Sequence, residues 1–344
     1  MTMTKQTKAF AIALTLGIAL LPDGAWAQAV HAVPPSTDPA TGGQSATPEV
    51  TAPVSRPARI VSSTGVRRVG RFRSRRRYRQ ALRLPAITQY GIPRLHVKAA
   101  YVVDANNRVL FEKNPERILP IASLTKLVTT MVFLQTIPDW DRVIEIVPDD
   151  VRHSSRTRIR SREEITVRDL IHASLMSSDN AATKALVRTC GIPEDEFVRR
   201  MNLMVDSLGI SDTHFVEPTG LSEQNVSTAQ GLARILRVAT ESDVVSAITQ
   251  KPEYSFTTNR RIHHLVNTNR LLRSQWTITG GKTGFIHESG YCLATNVKGP
   301  TGVDITAVVL GAPSNALRFA EARRILDWTF RFGLALPHAT PESE

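Results

Sequence analysis

The sequence predicts an α+β fold in which strands from both ends of the folded segment join one antiparallel sheet. Two short runs rich in β-branched and apolar residues flank the turn-forming sequence Asp104-Ala105-Asn106-Asn107, which indicates a β-hairpin. Three more such runs, separated by glycine-containing turns, lie near the C-terminus. Because the hairpin can pair with them only if the intervening segment packs around the sheet, helices must cover its faces or form a lobe. The predicted strands cover residues 96–103, 108–112, 277–285, 291–297 and 303–310.

Helices are predicted between these strands and after the last of them. An apolar segment that follows Pro120 indicates a buried helix over residues 124–134. A capping-box pattern at Thr166 begins a second helix that ends at Ser177. Two further helices are predicted over residues 181–189 and 315–332.

The N-terminal residues predict export. Lys5 and Lys8 precede the apolar run 9–21, and Ala25-Trp26-Ala27 follows as a small-x-small cleavage sequence. Residues 1–27 are therefore predicted to be a signal peptide. A retained membrane anchor is the alternative, but the 13 residues of the run are well short of the roughly 20 that span a bilayer. No later run predicts a transmembrane segment.

Residues 28–92 are predicted to be a disordered tether, because Pro, Ser, Thr, Ala and Gly dominate its first half and leave little apolar surface to bury. Its second half is an arginine tract interleaved with Phe72 and Tyr78. The tract either binds anionic envelope polymer, lipid head groups or nucleic acid, or is a solvated run that keeps the linker extended. Export makes nucleic acid the least favoured ligand. The arginines are Arg67, Arg68, Arg71, Arg73, Arg75, Arg76, Arg77, Arg79 and Arg83.

The net charge of +12 belongs to these N-terminal segments. Residues 1–92 contain 13 of the 43 Lys and Arg residues but only 3 of the 31 Asp and Glu residues. The predicted folded segment 93–336 and the tail 337–344 are together nearly neutral. Cys190 and Cys292 are predicted to be separate, partly buried thiols, with one disulfide in an oxidising compartment as the alternative.

Ser123-Leu124-Thr125-Lys126 is the first of three short motifs that carry chemistry. Residues three apart on a helix share a face, so the Ser123 hydroxyl and the Lys126 amine are predicted to lie within hydrogen-bond distance. A simple capping box would place Glu or Gln where Lys126 stands, and a cation in the first turn opposes the helix dipole. The dipole and burial are expected to lower the pKa of Lys126, so that a neutral amine can take the Ser123 proton.

Ser178-Asp179-Asn180 is the second motif. It lies between two predicted helices, where all three residue types are ordinary caps. Its functional interpretation is that Ser178 relays a proton to a leaving nitrogen and that the Asn180 amide binds substrate backbone.

Lys282-Thr283-Gly284 is the third motif, on a glycine-rich strand predicted to lie at a sheet edge. A peptide substrate could add there as an extra strand, with the Lys282 cation and the Thr283 hydroxyl holding a carboxylate. An exposed turn is the plainer interpretation of these residues.

The three motifs follow one another in the order found in penicillin-binding proteins and β-lactamases. From about residue 95 to 332 the chain resembles a low-molecular-mass penicillin-binding protein of the D-alanyl-D-alanine endopeptidase and carboxypeptidase group. Further likeness lies in Pro-Ile-Ala at 120–122, Pro-Thr-Gly-Leu at 218–221 and Asn-Thr-Asn-Arg-Leu-Leu at 267–272. The resemblance implies a β-lactamase/transpeptidase-like fold, with an antiparallel five-stranded sheet flanked by helices plus a helical lobe.

The resemblance also implies roles for the motif residues. Ser123 would be the acylated nucleophile and Lys126 its base, with Ser178 and Asn180 completing the proton and substrate network. Lys282, Thr283 and Gly284 would anchor a stem-peptide carboxylate, and the backbone N–H groups of Ser123 and Phe285 would form the oxyanion hole.

The implied reaction is hydrolysis of D-alanyl bonds in peptidoglycan stem peptides through an acyl-enzyme, without metal or cofactor, and β-lactams are the implied covalent inhibitors. The chain ends soon after its last predicted helix and lacks the C-terminal β-domain and amphipathic anchor common in the carboxypeptidases. This favours the shorter, endopeptidase-like branch in a periplasmic enzyme that is soluble or associated with wall or membrane. Carboxypeptidase activity stays open as the alternative, with the cut in a stem peptide rather than in a cross-link.

Two alternatives stand beside this interpretation. A class A β-lactamase would share the motifs, but the Glu-x-x-Leu-Asn signature of its deacylating Glu is missing, and Glu217 beside Pro218 has no such context. A non-catalytic wall-binding scaffold would not need an intact Ser123 and Lys126. The adjacent His263 and His264 make a poor metal site, because neighbouring rings on a strand point to opposite faces.

Overall fold

The computed structural model describes residues 91–155, 157–300 and 302–335. The predicted signal peptide, the tether up to residue 90 and the tail 337–344 lie outside this part of the chain. Within it, no helix is long and apolar enough to cross a membrane.

An antiparallel five-stranded sheet forms the centre of the fold, in the spatial order β2-β1-β11-β10-β9. The predicted hairpin and the three predicted C-terminal strands supply all five strands, which confirms the predicted α+β fold. The two ends of the domain meet in the middle of this sheet, where Ala99 pairs with Leu310. The strands are β1 (Ala99–Asp104), β2 (Val109–Lys113), β9 (Thr277–Ile286), β10 (Gly290–Lys298) and β11 (Asp304–Ala312).

Both faces of the sheet are covered, so β1 is buried along its whole length. Side chains alternate across a strand, and Tyr101 and Val103 accordingly face one core whereas Ala100 and Val102 face the other. The C-terminal helix covers the second face through Phe319 and Ile325. The remaining helices pack on the first face and extend beyond it as a lobe.

The predicted helices are present with small shifts at their ends. The predicted helix 124–134 begins as a 3-10 turn, Ala122–Thr125, before it continues as an α-helix. In chain order the α-helices are α1 (Lys126–Leu134), α2 (Pro148–Val151), α3 (Val167–Met176), α4 (Asn180–Thr189), α5 (Glu194–Ser207), α6 (Ala229–Glu241), α7 (Asp243–Gln250) and α8 (Asn315–Arg331). Short two-stranded pairs join Leu119–Pro120 (β3) to Val226–Ser227 (β6) and Val143–Glu145 (β4) to Glu164–Thr166 (β5).

A hairpin of β7 (Glu253–Thr257) and β8 (Ile262–Val266) lies outside the main sheet. The ring of His263 is buried and its Nε2 lies 2.5 Å from the Glu163 carboxylate, whereas His264 is exposed. The two rings therefore point to opposite faces, as predicted. Both cysteines are free thiols, Cys190 half-buried and Cys292 fully buried, which confirms the prediction of separate thiols.

Candidate active site

The three motifs converge between the edge of the sheet and the helical lobe. Ser123 lies in the 3-10 turn before α1, Ser178 lies between α3 and α4, and Lys282 lies on β9. Since β9 is the outermost strand of the sheet, the prediction of an edge strand is confirmed. The fold thus brings side chains from three distant segments to one groove.

Ser123 and Lys126 face each other at the start of α1. The Lys126 Nζ donates to Ser123 Oγ at 3.2 Å, as the spacing predicts. Neither the 3-10 turn nor α1 has a side-chain cap bond at its N-terminus, so Ser123 does not serve as a helix cap. Ala122, directly before it, has a left-handed backbone with φ of 50°, which is a strained conformation for a residue with a Cβ.

Two further oxygens surround the Lys126 amine. Nζ donates to Asn180 Oδ1 at 2.6 Å and to the Thr219 carbonyl at 2.5 Å. Burial lowers the pKa of Lys126 to about 8, while the negative charges of Glu217 and Asp179 act in the opposite direction. The lowered pKa increases the fraction of neutral amine, which is the form that can accept a proton.

In Ser178-Asp179-Asn180 the middle residue caps a helix, and its two neighbours belong to the site. Asp179 is the N-cap of α4, since its side chain accepts from the Ala182 N–H at 3.1 Å. Ser178 has φ of 61° and turns its hydroxyl to the groove, where it accepts from Lys282 Nζ at 2.8 Å. The cap interpretation therefore fits Asp179, whereas Ser178 accepts a hydrogen bond from Lys282 and Asn180 accepts one from Lys126.

Lys282 is fully buried and its Nζ also donates to the Thr283 carbonyl at 3.0 Å. Burial lowers the pKa of Lys282 well below its usual range, and the nearby Lys126 and Arg318 cations lower it further. A bound carboxylate would reverse this by stabilising the charged amine. The Thr283 hydroxyl donates to the Thr268 hydroxyl at 2.7 Å, which fixes it to the wall of the groove.

Gly284 places the edge strand against the Ser123 turn. A Cβ at this position would lie 2.7 Å from the Ile121 carbonyl and 3.1 Å from the Ser123 backbone nitrogen. Only glycine permits this approach. Phe285 follows directly, so its backbone lies beside that of Ser123, and its half-exposed ring stacks on Tyr291 at 4.1 Å.

Glu217 is a site residue that the sequence interpretation missed. Its carboxylate accepts from the backbone N–H groups of Thr219 at 2.7 Å and Gly220 at 2.6 Å, and from the Asn225 side chain at 3.0 Å. These bonds shape the loop that presents the Thr219 carbonyl to Lys126. The segment 218–221 contributes to the family resemblance, but no local pattern assigns a role to the glutamate before it.

Arg318 was also missed. It is buried beneath β9, where Nη1 donates to the carbonyls of Gly284 and Cys292, both at 3.0 Å. Burial lowers the pKa of Arg318 to about 10. It adds a third cation beside Lys126 and Lys282, which makes this end of the groove suited to an anionic group.

Comparison with known proteins agrees with this geometry. The family model for D-alanyl-D-alanine carboxypeptidases, peptidase family S11, matches residues 87–314. The chain belongs to this family. It is therefore a serine D,D-peptidase of the low-molecular-mass penicillin-binding protein kind, as the motifs predict.

Named relatives include both branches of the family. A D-alanyl-D-alanine endopeptidase of Pseudomonas aeruginosa is 35% identical over 239 residues, which cover 67% of this chain and 76% of the relative. An Escherichia coli D-alanyl-D-alanine endopeptidase is 32% identical, covering 71% and 80%. The D-alanyl-D-alanine carboxypeptidase DacF of Bacillus subtilis is 30% identical, covering 68% and 62%.

Solved structures show the same fold. A variant of a Streptomyces DD-transpeptidase superposes with a TM-score of 0.65 at 25% identity, over 71% of this chain and all of that one. A penicillin-binding protein of Listeria monocytogenes, in its cefotaxime-bound form, gives 0.60 at 29% identity over 69% and 98%. These matches confirm the transpeptidase-like fold implied by the resemblance.

Gly220 provides a test of how tightly the site is built. Its φ is +82°, and an added Cβ would lie 2.1 Å from the Ala122 carbonyl oxygen and 2.8 Å from the Ser123 nitrogen. We expect Gly220→Ala to displace the Ser123 turn and to slow covalent labelling by a fluorescent penicillin about tenfold or more.

Gly209→Ala is the matched control for this variant. Gly209 has a similar φ of +66°, but an added Cβ would meet only a flexible arginine end at 3.6 Å. It should lose about 1 kcal/mol of stability to backbone strain and label at the wild-type rate. If Gly220→Ala were labelled at the wild-type rate, the close approach of Gly220 to the Ser123 turn would be contradicted.

Proposed function

We propose that this D,D-peptidase opens D-alanyl bonds in cross-linked peptidoglycan, as a periplasmic endopeptidase, through an acyl-enzyme on Ser123. The observation that carries the proposal is the buried Lys126 amine held 3.2 Å from the Ser123 hydroxyl. Burial favours the neutral amine, and hydrogen-bond distance allows it to remove the hydroxyl proton.

The proposed acylation step uses the whole cluster. Ser123 Oγ attacks the carbonyl carbon of the D-alanyl bond while its proton passes to Lys126 Nζ. The negative charge that develops on the carbonyl oxygen is held by the backbone N–H groups of Ser123 and Phe285. The C–N bond then breaks as the proton taken up by Lys126 is relayed through the Ser178 hydroxyl to the leaving nitrogen, which returns Lys126 to its neutral form. Ser178 is held for this role by its hydrogen bond from Lys282.

Deacylation completes the cycle with water. A water molecule attacks the ester carbonyl and gives a proton to the neutral Lys126 amine. The bond between the acyl carbon and Ser123 Oγ then breaks, and Lys126 returns that proton to Ser123 Oγ as the acid product leaves. The carboxylate of Glu217 is engaged by backbone N–H groups of its own loop. We therefore assign it to shaping the loop rather than to activating water, and expect penicillin to remain bound to the enzyme for long periods.

Substrate binding is assigned to the edge strand. An extended stem peptide would pair with the free edge of β9, with Asn180 on the opposite side of the groove. Lys282 and Thr283 would hold a carboxylate, assisted by the nearby Arg318 cation. The endopeptidase preference is supported by the 35% and 32% identical relatives, both of which are named endopeptidases.

We also propose that residues 1–27 direct export and that the arginine tract between Arg67 and Arg83 attaches the enzyme to anionic polymer of the envelope. The chemical basis is the density of guanidinium groups in the tract. The domain assignment of residues 93–336 as the peptidase unit accords with the family match over 87–314.

Ser123→Ala is expected to abolish covalent labelling by a fluorescent penicillin, because it removes the hydroxyl that lies within hydrogen-bond distance of Lys126. The label would be read on a denaturing gel. Ser207→Ala, an exposed serine on α5, should label like the wild type. An unlabelled wild type would instead favour the wall-binding scaffold, and rapid release of hydrolysed penicillin would favour a β-lactamase.

The products from purified wall fragments distinguish the two D,D-peptidase activities. We expect mass spectrometry to show cross-linked dimers separated into two monomers. A monomer pentapeptide that loses a single alanine, with dimers left intact, would contradict the endopeptidase proposal and indicate a carboxypeptidase.

The pH dependence of penicillin acylation tests the role of Lys126. Acylation should rise with pH, with a midpoint near pH 8, since the amine must lose its proton to act as a base. Glu217→Gln removes a negative charge that raises the pKa of Lys126, so the acid limb should move to lower pH. Glu223→Gln, an exposed glutamate on the same loop, is the control. An unchanged profile in Glu217→Gln would contradict the assignment.

A further inference from the structure

The segment 152–162 is strongly basic and lies next to the second motif. It contains five arginines and one histidine but no Asp or Glu. Asn180 Nδ2 donates to the Ser154 carbonyl at 3.1 Å, and the Arg158 backbone N–H donates to Asp179 Oδ2 at 3.0 Å. The described residues of this segment, 152–155 and 157–162, therefore form a wall on the Ser178 and Asn180 side of the groove.

The β7–β8 hairpin holds this wall in place. Arg158 Nη1 donates to the His264 carbonyl at 3.1 Å, and Arg261 donates in return to the Arg158 carbonyl at 2.8 Å. Glu163 is buried and pairs with Arg261 at 2.6 Å and with His263. β8 ends two residues before Thr268, whose hydroxyl accepts a hydrogen bond from Thr283. The basic segment and the hairpin are therefore connected to the second motif and to the third.

Several guanidinium groups of the basic segment and the β7–β8 hairpin have no carboxylate partner among the described residues. Arg158, Arg160, Arg162 and Arg260 are exposed, and none forms an ion pair with a carboxylate in the part of the chain that the structure describes. Glu164 is an exposed acid close by in sequence. Some exposed arginines elsewhere do pair with carboxylates, as in Arg188 with Asp150 and Arg199 with Glu196.

Clustered like charges repel one another and destabilise the folded state, so an unpaired cluster beside a catalytic groove indicates a ligand. The four exposed arginines of this cluster form a basic wall, which consists of Arg158, Arg160, Arg162 and Arg260. Through Arg158, whose backbone N–H donates to Asp179, the wall is linked to the motif that contains Ser178, which in the proposed function protonates the leaving nitrogen. In a cross-linked substrate the leaving group is a whole second stem peptide, which carries free carboxylates.

We propose that the basic wall binds the carboxylates of the second stem peptide, the one released when a cross-link is cut. Guanidinium groups bind carboxylates through paired hydrogen bonds, and several together also steer an anionic substrate to the groove. A carboxypeptidase substrate releases only one alanine, which ends at Lys282 and does not reach the wall. The wall thus favours cross-linked over monomeric substrates. This inference rests on the proposed function and names its substrate more closely.

The test compares two substrates in one variant, Arg160→Gln with Arg162→Gln and Arg260→Gln. Arg158 is retained because its guanidinium also holds the hairpin. We expect the KM for a cross-linked muropeptide dimer to rise roughly tenfold, from the loss of several exposed ion pairs. Penicillin acylation and the release of D-alanine from a monomeric pentapeptide should stay within about twofold of wild type, since neither places a charged group on the wall.

Salt provides an independent measurement. Added sodium chloride screens exposed charges, so it should raise the wild-type KM for the dimer and have little effect on the KM of the variant. The matched control is Arg94→Gln with Arg323→Gln and Arg331→Gln, which removes three exposed arginines on and beside α8. It lowers the net charge equally and should keep the wild-type KM and salt dependence.

Three results would overturn the inference: an unchanged KM for the dimer, an equal loss in the control variant, or an equal loss on dimer and pentapeptide. The second would show steering by total charge alone, and the third a distorted groove. A different result would contradict the proposed function itself. In that case the wild-type enzyme would cleave neither substrate or would not be acylated by penicillin, and this would be seen before any variant is compared.

Discussion

The site depends on one buried amine. Lys126 Nζ donates to oxygens of Ser123, Asn180 and Thr219, which come from three separate segments of the chain. A buried ammonium group without such acceptors would be strongly unfavourable, so the same bonds that make burial tolerable also join the segments. The position of the Ser123 turn, the start of α4 and the 218–221 loop all follow from this constraint. Catalytic geometry and local packing are therefore one arrangement.

The three buried cationic side chains of the groove repel one another, and a bound anion would reduce this repulsion. Lys126, Lys282 and Arg318 are all buried, and the pKa of each is lowered, first by burial. In Lys282 the two neighbouring cations add to this effect. The carboxylate end of a stem peptide would neutralise part of this positive field and raise the pKa of Lys282. In the proposed mechanism, carboxylate binding and the protonation of Lys282 are therefore linked, whereas Lys126 must lose a proton to act as the base.

Patterns within single elements were enough to predict the architecture and the three motifs. The hairpin, the three late strands and the spacing of Ser123 and Lys126 are local features, and the structure confirms them. Thr268 and Arg318 were missed because their importance arises from hydrogen bonds to distant segments. Glu217 bonds within its own loop, and it was missed because only the fold brings that loop to Lys126. Arg318 occupies an ordinary position in the last helix, and only the fold places it under β9. The 3-10 start of the first helix likewise follows from packing against Gly220 and Gly284 rather than from propensity.

The pairing of Ala99 with Leu310 has a consequence for how the molecule is made. Strand β1 finds its partner β11, the middle strand of the sheet, only when nearly the whole domain has been synthesised, so the sheet closes late. Contacts between such distant residues slow folding, because a long loop must be ordered before they form. A chain with this topology completes its central sheet, and with it the groove beside β9, only after the last strand has formed.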